Sequence, residues 1–267
     1  MPLYKILYND MNNPFRKAFY GASLILLFSN SNVVVAESLT IASASNFAET
    51  VAALVQEFEA KSDYEVRLIL GSSGRFYAQI SNGAPFDIFL SADREKPAAL
   101  VTNGLALPQS RFTYAIGRLA LWSEDENLIS GDSSVLATDE YKKIALANPR
   151  LAPYGKAAME VLKALSLSDD LRDKLVQGEN IAQTYQFVST GNAELGFVAS
   201  SQVIKNGVLT SGSVWLVPED LHLPIHQDAV ILAKAKESSA AHAFMDFLKA
   251  SEGRRIIQSY GYGLQGL

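Results

Sequence analysis

The chain has 267 residues, of which 48% are hydrophobic and 19% charged, with a formal net charge of −5 and no cysteine. The hydrophobic share fits a globular protein and excludes intrinsic disorder, and the length asks for one large or two medium domains. The missing cysteine excludes disulfides, thiolate zinc sites, iron–sulfur clusters and a cysteine nucleophile, and the acidic balance argues against nucleic acid, which is met by a basic face.

In chain order, the first element reads as an export signal. Arg16-Lys17 precede the uncharged run Ala18 to Phe28, and Val34-Val35-Ala36 offers an exit for cleavage before Glu37. A basic flank, a short apolar run and a small-x-small exit predict a cleaved secretory signal over residues 1–36. The competing reading, an uncleaved anchor, would need about 20 apolar residues to span a bilayer. The stretch before Arg16 is longer and more polar than such signals carry, which leaves a downstream start codon open. Removal of 1–36 takes away Lys5, Arg16, Lys17 and Asp10, so the net charge moves from −5 to −7. With no cysteine, an N-terminal lipid anchor is excluded.

From Leu39 onward short apolar runs alternate with amphipathic patterns. Leu39–Ala42 reads as a strand, and Phe47–Lys61 as a helix with Val51, Leu54, Val55 and Phe58 on one face. Val66–Leu70, Asp87–Leu90 and Lys143–Ala147 read as strands; Arg75–Asn82, Lys96–Thr102 and Gly155–Leu165 as helices. The run Tyr114–Trp122 predicts a strand that leaves one domain for another. Leu171–Val176 reads as a short helix and Ile181–Ser189 as a longer one. Leu195–Ala199, Val214–Val217 and Ala229–Ala233 follow as strands, the last returning to the first domain, before helices at Ala240–Ala250 and Arg254–Ser259. The alternation predicts an α/β fold of two lobes, each a mixed, mostly parallel sheet flanked by helices, joined by two strand crossings. The expected division is 37–117 with 229–267 as lobe 1, and 118–228 as lobe 2.

Four places put a small or polar residue where a helix begins after a strand. They are Ala44-Ser45-Asn46-Phe47, Gly71-Ser72-Ser73-Gly74, Asn148–Gly155 and Gly178-Glu179-Asn180-Ile181. Asn46 with Glu49 has capping-box spacing, and Pro153 suits a first helical turn. Singly, a serine at a helix start is an N-cap and nothing more. Four such loops at the carboxyl ends of strands in an α/β protein are another matter, because helix N-termini carry unpaired N–H groups and partial positive charge. Their conjunction predicts an anion cradle.

Rival chemistries fare worse. Gly71-Ser72-Ser73-Gly74 lacks the spacing of a nucleophile elbow, and no histidine precedes His222. His222 and His226 are four apart, but Pro224 between them breaks any helical metal face, and His226 is expected at the entrance to a strand. Asp87 and Asp93 could pair as catalytic carboxylates, yet strand-end hydrogen bonding is the plainer role. Trp122, Trp215 and most tyrosines read as core and hinge packing.

The run Gly71-Ser72-Ser73-Gly74, Gln79-Ile80, Gly83-Ala84-Pro85, Asp87-Ile88-Phe89 and Ser91-Ala92-Asp93 closely resembles the periplasmic molybdate-binding proteins of ABC transporters. So do Ala147-Asn148-Pro149, Ala152-Pro153-Tyr154-Gly155, Gly178-Glu179-Asn180 and Thr190–Gly196. The ending Pro218–His222, Pro224-Ile225, Gln227-Asp228-Ala229 and Tyr260-Gly261-Tyr262-Gly263 also fits, so the resemblance spans residues 39–263. It implies a two-lobed, type II-like periplasmic-binding-protein fold that closes on molybdate or tungstate. It also implies a periplasmic monomer that needs no cofactor and no catalytic residue, with a membrane permease as its partner. Matched by motif, Ser45, Asn46 and Ser73 stand at ligand-contact positions, and Tyr154 and Ile181 at positions that donate backbone N–H groups. Ser72 and Asn180 are secondary candidates. Some members place a donor tyrosine after the Leu195–Val198 segment; here Ala199-Ser200 stands there, and Asn46 is expected to substitute. Two alternatives stay open: a binding protein for another tetrahedral oxyanion such as sulfate, and an exported serine hydrolase using Ser73.

Overall fold

The computed structural model describes residues 37–265; the expected signal segment 1–36 lies outside them. The chain runs β1 (Ser38–Ala44), α1 (Ala48–Glu59), β2 (Glu65–Gly71), α2 (Ser73–Ser81), β3 (Ile88–Leu90), α3 (Glu95–Thr102) and β4 (Phe112–Gly117). It continues through β5 (Leu119–Ser123), β6 (Ile144–Ala147), α4 (Pro153–Ala164), β7 (Leu175–Gly178), α5 (Ile181–Ser189), β8 (Leu195–Ala199) and α6 (Ser200–Val203). Then come β9 (Ile204–Lys205), β10 (Val208–Leu209), β11 (Ser213–Leu216), β12 (Ile225–Ile231), α7 (Ser239–Lys249) and α8 (Ser251–Ser259).

Two five-stranded sheets carry the fold. The first has the order β2-β1-β3-β12-β4, the second β11-β5-β8-β6-β7. In each, two neighbouring pairs are parallel and two antiparallel. The sheets are therefore mixed, as expected, but half rather than mostly parallel. The antiparallel pairs belong to the segments that travel between the sheets and return, which βαβ logic does not govern.

Both faces of each sheet are covered, and the strand period of two explains how. Ile41, Ile88, Leu90, Ala229 and Ile231 turn to the side packed by Val51 and Leu54 of α1 and Phe244 and Leu248 of α7. Their neighbours Ala42, Phe89 and Val230 turn to the other side, against Phe76 and Ile80 of α2 and Leu100 of α3. In the second sheet Leu119, Leu121, Ile144, Leu146, Leu195 and Phe197 face α4 through Ala158, Val161 and Leu162. Ala120, Trp122, Ala145 and Val198 meet Val188 of α5. Most buried strand residues are apolar because helices cover both faces of the central strands.

Three elements differ from the sequence reading. Tyr114–Trp122 is not one strand: it breaks at Arg118 into β4 and β5, which join different sheets. Leu171–Val176 is not a helix. A short 3-10 turn, Arg172–Lys174, leads into β7, where Leu175 and Val176 pair in parallel with Ile144 and Ala145. Pairing with a neighbouring strand outweighs the local pattern. Strand β12 starts four residues earlier than expected, and His226, its second residue, stands at its entrance as expected. The small β9–β10 hairpin, not anticipated, turns at Asn206-Gly207 with φ of 51° and 78°, the left-handed pair such a two-residue turn requires.

Candidate functional site

Loops after β1, β2, β6 and β7 meet where the two sheets face each other. Ser45, Asn46, Ser72, Ser73, Tyr154, Asn180 and Ile181 all line one small cavity of about 10 Å3, together with Ala44, Gly71, Ala92, Ala152 and Pro153. All seven residues singled out in the sequence are brought together there. No charged side chain lines the cavity.

The loop after β1 does not form the expected capping box. Ser45–Phe47 is a 3-10 turn, α1 is capped at Phe47 with no side-chain bond, and Glu49 pairs with Lys205 Nζ at 2.7 Å. Asn46 turns its amide away from the cavity: Nδ2 donates to Gln227 Oε1 at 3.0 Å and to Tyr262 Oη at 3.1 Å. Both its protons are engaged, so the Asn46 side chain is not the substitute donor expected from sequence. Its place beside Ser45 leaves backbone N–H as its contribution.

After β2, Ser72 and Ser73 are 3% and 1% exposed. The Ser73 hydroxyl oxygen accepts the Ala92 N–H at 2.9 Å, which leaves its proton free to donate. Ser72 Oγ is buried with no hydrogen-bond partner, an orphan that costs about 1–3 kcal/mol unless something meets it. The next amide, Gly74, donates to Leu151 O at 2.8 Å on the opposite side. A Cβ on Gly74 would stand 2.8 Å from Leu151 Cα and 2.9 Å from its carbonyl oxygen. Only glycine permits that approach.

The second sheet contributes two helix starts. Pro153 is the first residue of α4 and Tyr154 the second, so the Tyr154 N–H has no intrahelical acceptor. Gly155 lets the turn press on β6, since a Cβ there would meet Ala147 O at 2.0 Å. Asn180 caps α5: its Oδ1 accepts Ala182 N–H at 3.0 Å and Gln183 N–H at 3.1 Å. That bond satisfies the second and third amides and leaves the first, Ile181 N–H, free. Across the mouth, Arg75 of α2 forms an ion pair with Glu179.

Behind Asn46 lies a buried polar cluster that the sequence reading treated as packing. Tyr114 Oη and Asn46 Nδ2 both donate to Gln227 Oε1, and Gln227 Nε2 donates to Tyr154 Oη at 3.2 Å. Tyr262 Oη donates to Asn46 O at 2.7 Å, and Ser201 Oγ lies 2.9 Å from Tyr262 Oη. Burial pushes the Tyr114 and Tyr154 hydroxyls well above the usual tyrosine range and Tyr262 up to about 12. All three hydroxyls are neutral at ordinary pH. The available signal was Gln227, a polar residue amid the apolar positions of β12, which must find partners when buried.

A larger groove of about 390 Å3 opens beyond Ala92, Ala152 and Pro153, lined by Arg94, Lys96, Arg150, Lys156, Asp93 and Glu160 among others. Its charges are of both signs and partly spent on each other: Lys96 pairs with Asp93, and Glu160 accepts the Leu223 N–H at 2.9 Å. Size favours this groove, but convergent donors favour the small cavity, and donors decide where an ion is held. The aspartates take the plain role: Asp87 accepts the Thr40 N–H at 2.7 Å, and Asp93 the Lys96 N–H that opens α3. The histidines do not assemble a metal site: among the described residues no three His, Asp or Glu side chains cluster. Burial first, then Arg94, holds the His226 pKa below the usual value, and its Nδ1 is unpartnered.

The family model for bacterial extracellular solute-binding proteins matches residues 39–263. The chain belongs to the bacterial extracellular solute-binding proteins. Within them it is 48% identical over 230 residues to the molybdate-binding protein ModA of Azotobacter vinelandii, covering 86% of this chain and 91% of that one. It is 46% identical to ModA of Rhodobacter capsulatus over 244 residues, 91% of this chain and 95% of that one. The solved periplasmic molybdate-binding protein of Azotobacter vinelandii superposes with a TM-score of 0.83 at 40% identity, over 85% of this chain and all of that one. A sulfate-binding protein of Mycobacterium tuberculosis, 14% identical with a TM-score of 0.68, covers 85% of this chain and 86% of that one, and shares the fold alone. For a solute-binding protein, a cleft between two sheets with donors from both is the expected place of capture.

Proposed function

We propose that this solute-binding protein captures molybdate, and tungstate with it, in the cavity between its sheets and delivers the anion to an ABC permease. The observation that carries this reading is a cavity on which hydroxyls and first-turn amides converge, with no charged side chain among the described residues that line it. The hydroxyls of Ser45, Ser72 and Ser73 come from one side, the first-turn amides of Tyr154 and Ile181 from the other. The relatives at 46–48% identity are molybdate-binding proteins, which makes a tetrahedral oxyanion the natural occupant. An anion bridging both sets would favour the closed form by the difference in its affinity for closed and open states.

Selectivity follows from the same arrangement. Molybdate has longer bonds to oxygen than sulfate, and fixed donors cannot follow a smaller ion inward. A phosphate that keeps a proton is best met by a carboxylate acceptor, and none stands among the described residues lining the cavity. Tungstate matches molybdate in size and charge and should bind comparably. Export to the periplasm, cleavage after Ala36, a monomeric state and the lack of any cofactor complete the reading.

The hydrolase alternative finds no support in geometry. The Ser73 hydroxyl oxygen accepts from Ala92 N–H, whereas His222 Nδ1 lies on Leu223 O and His242 Nε2 on Lys236 O. Among the described residues that line the cavity with Ser73, none is a histidine, carboxylate or lysine that could serve as its base. Calorimetric titration of the exported chain with molybdate, tungstate and sulfate tests the proposal. One-to-one binding of molybdate and tungstate, much tighter than sulfate, is expected; tight sulfate binding with none for molybdate would overturn it.

A further inference from the structure

We propose that Gln227 is a positioning residue for oxyanion capture, which it controls through the Tyr154 hydroxyl without touching the anion. This rests on the molybdate reading above and adds a residue outside the cavity to it. Gln227 lies on β12, is fully buried, and is bonded at once to groups of both lobes: Asn46 and Tyr114 on one side, Tyr154 on the other.

Three independent features aim these groups at one another. The β12–β4 ladder pairs Gln227 with Ala115 but Asp228 with Thr113, so Tyr114 is an extra residue on β4. Such a bulge re-aims a side chain, and here the Tyr114 hydroxyl reaches Gln227 Oε1 at 3.0 Å. Gly117, the last residue of β4, makes the room: a Cβ there would lie 2.1 Å from Tyr154 Oη and 2.7 Å from Gln227 Nε2. The third is polarity. Gln227 Oε1 accepts two bonds from lobe-one groups, which fixes the amide so that Nε2 points to Tyr154.

The consequence lies one bond path away. Tyr154 is the second residue of α4, and its own N–H is among those facing the cavity. Holding its ring by the hydroxyl fixes the start of α4 against the first-lobe loop. Asn46, whose backbone neighbours the anion, is held by the same amide. Gln227 thus sets the distance between the donors of the two sides, and with it both closed-state lifetime and size discrimination.

The test is a double-mutant cycle read by calorimetry and stopped-flow, using molybdate and sulfate as probes. Tyr154→Phe keeps ring and amide and removes only the hydroxyl; Gln227→Met keeps the length and removes the amide. Each is expected to weaken molybdate binding about tenfold through faster dissociation, the scale of one net hydrogen bond, and to narrow the molybdate-to-sulfate ratio. Gln227→Met removes the bond that Tyr154→Phe removes and the bonds to Asn46 and Tyr114 besides, so the double variant should be about as weak as Gln227→Met alone. Molybdate affinity of Tyr154→Phe within twofold of wild type would overturn the proposal even if Gln227→Met failed to fold. So would losses that multiply to about a hundredfold, or an unchanged ratio. Wild-type protein that ignored molybdate would instead remove the reading beneath it.

Discussion

Ser73 illustrates how a hydroxyl becomes a directed donor. Its oxygen is occupied by the Ala92 N–H, so the remaining useful direction for its proton is the cavity. A hydrogen bond to a charged acceptor contributes about 1.5–3 kcal/mol, so Ser73→Ala should weaken molybdate binding roughly 10- to 100-fold by calorimetry. A loss below threefold would show that the hydroxyl is idle. The cradle also contains no group that titrates near neutrality. Affinity should therefore be flat from about pH 5 to 9, and a step below the ordinary histidine pKa of about 6.5 would implicate His226 instead. Stability has a different window. Three buried tyrosines keep their protons in the folded state above the pKa of about 10 at which the unfolded chain loses them. The stability this gives is full below about pH 10 and falls as pH rises toward about 12 and beyond, so melting temperature should drop across that window.

At the scale of elements, the site is four strand-to-helix transitions, and their caps do different work. Asn180 is spent entirely on α5, which is what leaves Ile181 N–H free. Asn180→Ala should lower the melting temperature by about 2–4 °C, from a cap energy of about 1 kcal/mol, and weaken anion binding by loosening the Ile181 amide. Unchanged melting would contradict the capping role. These transitions were legible in sequence because each combined a strand pattern, a small or amide residue and a helical pattern within ten residues. Other features were not. β7 exists because Leu175 and Val176 pair with β6, a partner some thirty residues away, and no local pattern records that. Asn46 with Glu49 has every local mark of a capping box, yet Gln227 and Tyr262, remote in sequence, claim the amide. The β4–β5 break was hidden because its apolar run is continuous, while Gly117 is dictated by Tyr154 from another lobe.

For the whole molecule, the acidic balance and the anionic ligand are compatible because the charge is met locally, by amides at helix starts and by hydroxyls, not by lysine or arginine. Net charge argued against nucleic acid and left the ligand open. Closure depends on close approach of the two sides, and at Gly74 that approach is backbone to backbone, through the bond from its N–H to Leu151 O. Gly74→Ala puts a Cβ against the Leu151 backbone; the ligand-free melting temperature should stay within a few degrees of wild type, while the rise on adding molybdate shrinks. An undiminished ligand-induced rise would show that the Gly74–Leu151 contact is dispensable for closure. The most direct measurement is the molybdenum anomalous difference map of crystals grown with molybdate. The account predicts one peak between the loops, with anion oxygens about 2.7–3.2 Å from Ser73 Oγ and the Tyr154 and Ile181 nitrogens. A peak in the charged groove beside Arg150 and Lys156, with none between the loops, would contradict it.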